Sequence, residues 1–91
     1  MQDKACPICG ERMRDNPRYP RQVCRACVER ACDEEGRLLR FYNTSLSGGF
    51  LARYVDNGAD RDSHECYIDG IKCWADEARM GGIVVQIAIE D

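Results

Sequence analysis

No stretch of this chain approaches the roughly 18 consecutive apolar residues that a membrane-spanning helix requires, so none of it reads as a transmembrane segment. A charged-then-apolar leader is also missing. Met1-Gln2-Asp3-Lys4 runs straight into the first cysteine-bearing turn, so the cytosol, where thiols stay reduced, is the expected compartment. Histidine occurs once, at position 64, which leaves any metal-free imidazole general base a single candidate. Internal repeats, low-complexity tracts and a clear linker are absent. Thr44-Ser45-Leu46-Ser47-Gly48-Gly49 lacks the glycine spacing and the lysine of a phosphate-cradling loop. The acidic run from Asp56 to Asp62 lacks the alternating oxygens, sixth-position glycine and terminal glutamate of a calcium loop.

What remains is a chain of 91 residues, 44% hydrophobic and 32% charged, the composition of an ordinary globule rather than a disordered segment. At this length a core buries only about two-thirds of the unfolded surface, so a metal staple is a natural supplement. Net charge is −3, unevenly spread. Residues 1–30 carry seven basic side chains against four acidic ones, about +3, and the rest six against twelve, about −6. An acidic whole argues against tight non-specific binding to nucleic acid, while the basic end leaves a local contact open.

Cysteine is plentiful. Seven is an odd number, awkward for a disulfide framework. Four of the seven form two matched pairs, Cys6-Pro-Ile-Cys9-Gly10 and Cys24-Arg-Ala-Cys27, with 14 residues between the pairs. Two Cys-x-x-Cys turns supply the four thiolates of a closed tetrahedral zinc site, and four thiolates leave no position for water or substrate. Cys6, Cys9, Cys24 and Cys27 are therefore expected to hold one structural Zn²⁺ per chain, worth roughly 10 kcal/mol or more of apparent folding free energy. Between the pairs, Asn16-Pro17 and Tyr19-Pro20 predict a hairpin or loop, with Met13 and Val23 covering the metal. Residues 24–35 are good helix formers with Cys24, Cys27, Val28 and Ala31 on one face and Gly36 as the stop. Acidic residues 33–35 sit at the wrong end for the helix dipole, so fraying is expected in the last turn. A knuckle, a hairpin-like gap and a second ligand pair opening a helix resembles the treble-clef arrangement of zinc fingers over residues 6–35; a zinc ribbon is the alternative. As a whole the chain resembles small uncharacterised bacterial proteins that begin with such a zinc module, a resemblance that carries no activity.

Beyond Gly36 the pattern is strand-like. Residues 37–43, 50–55, 64–68, 71–75 and 83–89 read as strands, and Asp69-Gly70 is the strongest short-range hairpin signal. The expected fold is α+β. A zinc module, residues 1–36, with one short helix packs on an antiparallel sheet of four to five strands, residues 37–91, as one folding unit.

With Asp69-Gly70 as a two-residue turn, Cys66 faces Cys73 and Ile68 faces Ile71, and strand alternation puts His64, Cys66, Ile68, Ile71 and Cys73 on one face. Core thiols are the expected reading there. A second metal or redox site built on His64, Cys66 and Cys73, with Cys32 as a possible fourth ligand, is the enzymatic alternative. The opposite face carries Glu65, Tyr67, Lys72 and Trp74, which with Arg40, Tyr42, Arg53 and Tyr54 on neighbouring strands could stack on bases or hold a peptide. Arg12, Arg14, Arg18, Arg21 and Arg25 crowd the zinc knuckles. The expected function is a zinc-stabilised, non-enzymatic binding module whose partner is a protein, with Arg12, Arg14, Arg18, Arg21, Arg25, Tyr67, Lys72 and Trp74 as its surface. Nucleic acid on the arginines is the alternative partner, and no membrane is involved.

Overall fold

The computed structural model describes residues 3–14, 17–44, 49–78 and 82–88. The order of elements is β1 (Asp3–Ala5), β2 (Arg12–Arg14), α1 (Arg25–Val28), β3 (Leu39–Tyr42), β4 (Leu51–Tyr54), β5 (Asp60–Arg61), β6 (Glu65–Ile68), β7 (Ile71–Glu77) and β8 (Ile83–Ile87). The strands make three antiparallel sheets: the hairpin β1-β2, and two three-stranded sheets ordered β3-β4-β5 and β6-β7-β8.

This corrects the α+β expectation twice. The single sheet of four to five strands is instead two separate sheets. The helix expected over 24–35, on which a treble-clef-like or ribbon-like module with one short helix rested, is a single turn. The reason lies in tertiary pairing. After Val28 and Glu29 close ordinary helical bonds to Cys24 and Arg25, Arg30 and Ala31 donate to Cys27 and Val28, tightening the turn. Cys32 then gives its N–H to Tyr67 O (2.9 Å) and takes the N–H of Tyr67 (2.8 Å), so its backbone belongs to the edge of β6. Gly36 stops no helix. It sits at φ 88° in a turn where Asp33 Oδ1 accepts the N–H groups of Glu35 (2.8 Å) and Arg37 (2.9 Å).

The β6–β7 hairpin matches its sequence reading. Ile68 pairs with Ile71 and Cys66 with Cys73. The two turn residues, Asp69 (φ 52°) and Gly70 (φ 80°), both adopt the left-handed backbone that a two-residue type I′ turn demands. Strand β5 was not foreseen within the polar run at 56–63, and β1 was not foreseen before Cys6. Residues 45–48 of the loop expected at 44–49 lie outside the described residues.

Residues 21–33 form a strap across the β6-β7-β8 sheet. At one edge Gln22 bridges Gln86, Val23 donates to Val85 O (2.9 Å) and Ile87 donates to Arg21 O (3.1 Å). At the other edge Cys32 bridges Tyr67. Between these anchors Val23, Cys24, Cys27 and Ala31 share one apolar cluster with Cys66, Ile68, Cys73, Ala75 and Val85 of the sheet. Cys32 also bridges Leu38, and Leu39 donates to Ala31 O, which joins β3 to the same strap.

Candidate metal centre

The first knuckle hangs from the β1-β2 hairpin. Cys6 donates its N–H to Glu11 O (2.8 Å), and Gly10 donates to Cys6 O (2.9 Å) from φ 78°, closing the turn that brings Cys9 round. The second pair straddles the start of α1, so one helical turn carries Cys24 and Cys27 to the same side. The four Sγ atoms lie within 4.8 Å of one another. Cys6 and Cys27 are 3.8 Å apart and Cys9 and Cys24 3.5 Å. A tetrahedral ion with Zn–S bonds of about 2.3 Å separates its sulfurs by about 3.8 Å, so the quartet fits a closed four-thiolate site. Among the described residues no other cluster of three or more His, Cys, Asp or Glu ligand atoms comes together.

Cys6, Cys24 and Cys27 are buried, whereas Cys9 is the exposed member. Burial pushes the Cys6 thiol up, but the backbone N–H groups of Cys9, Cys24 and Ile8 outweigh it and hold the group down at about 6. Burial and the neighbouring thiols of Cys9, Cys24 and Cys6 push Cys27 the other way, to about 12. The N–H of Cys24 donates to Cys6 Sγ at 3.3 Å, an amide aimed at a sulfur that would carry charge when metal-bound. Val23 is buried in the apolar cluster that also holds Cys6, Cys24 and Cys27, and Met13 packs against that cluster.

Sequence reasoning passed over Arg30 as one basic residue among several. Its Nη2 donates to Cys27 Sγ (3.4 Å) and to Asp69 Oδ2 (2.8 Å), and its Nε donates to Asp69 Oδ1 (3.3 Å). The available signal was its position three residues after Cys27, one helical turn on.

The second constellation does not assemble. Cys66 and Cys73 are fully buried beneath the strap. Cys32 is half-buried and donates to Tyr67 O (3.3 Å). His64 lies just before β6, on a bend, and leaves the thiol face that strand alternation assigned to it. Its ring stacks between Phe50 (4.2 Å) and Trp74 (5.0 Å), and its Nδ1 meets Ala75 O at 2.7 Å.

Of the expected binding surface, Arg12, Arg14, Arg18, Arg21 and Arg25 are all exposed. Arg12 lies 3.8 Å from Asp3, and Arg21 Nε donates to Ile87 O (3.2 Å). Trp74 is 44% exposed, while Lys72 is engaged by Glu65 (3.3 Å) and Tyr67 is half-buried beside Cys32. Arg40 and Arg53 face each other on the β3-β4-β5 sheet, so those strands do not extend the Trp74 face. Among the described residues no helix is long and apolar enough to cross a membrane. Comparison with known protein families, with curated proteins and with solved structures finds no match to this chain.

Proposed function

We propose that the chain is a non-enzymatic binding module, stabilised by one Zn²⁺ on Cys6, Cys9, Cys24 and Cys27, that docks on the acidic surface of a protein partner in the cytosol. The observation that carries the metal is the sulfur quartet itself, spaced for a tetrahedral ion and with three of its four members in the core. Four thiolates complete that coordination and leave no open position for chemistry on the ion. The zinc module and the sheet region act as one folding unit on this reading, supported by the apolar cluster they share.

The docking face is the arginine group at the knuckles, Arg12, Arg14, Arg18, Arg21 and Arg25. Guanidinium forks suit carboxylates and phosphates alike. Net charge favours a local acidic patch over a long polyanion, because a chain at −3 repels the latter from every side but one. Native mass spectrometry of the purified chain is expected to find one zinc; a metal-free folded chain would overturn the metal reading. Reversing Arg14 and Arg18 to Glu is expected to leave folding and zinc content intact and abolish partner capture in a pull-down. Sub-micromolar nucleic-acid binding at physiological salt by the wild type, lost in the double variant, would replace the protein partner with nucleic acid.

A further inference from the structure

We infer that Arg30 is a positioning residue for the metal centre, a guanidinium held by Asp69 so that one N–H points at the Cys27 sulfur and slows release of the ion. The inference rests on the zinc reading above and concerns what sets the lifetime of the site.

Three observations build it. Cys32 and Tyr67 pair backbone to backbone in antiparallel register, which places Arg30, two residues before, opposite Asp69, two residues after. Asp69 occupies the turn of the β6–β7 hairpin at φ 52°, so its carboxylate is carried by a rigid element rather than a loose loop. Its two oxygens accept Nε (3.3 Å) and Nη2 (2.8 Å) of Arg30, a bidentate fork that fixes the guanidinium plane. With the plane fixed, Nη2 also donates to Cys27 Sγ at 3.4 Å.

A zinc ion on four thiolates is a dianion, and the charge resides on the sulfurs. A hydrogen bond from a cation to one of them draws off electron density and makes that sulfur a poorer target for protons and electrophiles. Cys27 receives this contact from the guanidinium and Cys6 receives the amide of Cys24, so two of the three buried cysteines of the quartet carry a nitrogen donor on sulfur. Cys9 is left as the exposed thiolate through which exchange begins.

The test uses the full chain, loaded with zinc, as wild type, Arg30→Met and Arg30→Lys. Transfer of zinc to excess chromophoric chelator is expected to run about tenfold faster in Arg30→Met, in line with the effect of losing an outer-shell partner. Arg30→Lys keeps the charge but not the fork and should recover only part of the difference. In cobalt-substituted protein the thiolate-to-metal charge-transfer band is expected to shift to longer wavelength in Arg30→Met, because an unbonded thiolate gives up its electron more readily. Release within twofold of wild type, an unmoved band, or full recovery by lysine would overturn the inference. A wild type that takes up no zinc or cobalt would instead overturn the zinc reading on which it rests.

Discussion

Cys66 and Cys73 face each other across the β6–β7 hairpin with no exposed surface, and burial is the first cause that lifts both thiols, to about 12 and about 11. Their folded values lie above those of the unfolded chain, so the stability they confer is fully present below about pH 8.5 and is lost as pH rises towards the folded values. Urea titrations at pH 8 and pH 10 are expected to show Cys66→Ala losing roughly 1–2 kcal/mol less than wild type between the two, since it lacks a thiol whose ionisation favours unfolding. At pH 7 either alanine should cost about 1 kcal/mol and leave metal content unchanged; a fall in bound zinc would place the residue in the coordination sphere. Cys6→Ser and Cys27→Ser belong to the other chemical kind. Each removes a ligand, and thermal melts followed by circular dichroism should fall to the curve of chelator-treated wild type.

At the scale of elements, the turn at 33–37 depends on one buried carboxylate. Burial alone would raise the Asp33 carboxyl, but the N–H groups of Arg37 and Glu35, the Tyr54 hydroxyl (3.0 Å) and the nearby Arg61 guanidinium outweigh it and hold the group below the usual carboxylate range. Its contribution is therefore present above about pH 4 and lost as pH falls through the folded value. Asp33→Ala is expected to lower the urea midpoint at pH 7 and to flatten its decline on acidification; an unchanged acid limb would show that the carboxylate is not what holds the turn. None of this was legible in a run that reads as the frayed end of a helix. Residues 24–35 have helical propensity, but the backbone of Cys32 is claimed by a strand 35 positions away, and no local pattern encodes that claim. The ligand quartet was legible because its spacing is itself the chemistry, and the β6–β7 register because Asp69-Gly70 fixes it. The split into two three-stranded sheets was not, since alternation says which side of a strand is apolar but not which strand lies beside it. His64 was misassigned for the same reason: alternation was carried one residue past the point where β6 begins.

For the molecule as a whole, the strap covers sheet edges that would otherwise present unpaired backbone groups. It lies against β8 through Gln22 and Val23 and against β6 through Cys32, with Cys24 and Cys27 between the two contacts. Stripping the metal is expected to loosen the strap and expose both edges, which then pair with other copies. Light scattering after chelator treatment should rise with protein concentration and fall back when zinc is restored early; a chelated chain that stays monomeric would show the edges are guarded by packing alone. The same strap has a consequence in time. All four sulfurs lie within the first 27 residues, while the sheet that buries Cys27 begins at Glu65. During synthesis the knuckles emerge and can capture an ion before the floor beneath them exists, so on the zinc reading the ion is taken up by an open chain and sealed in by strands translated later. Refolding with zinc present from the start should then outpace refolding in which zinc is added after the sheet has closed.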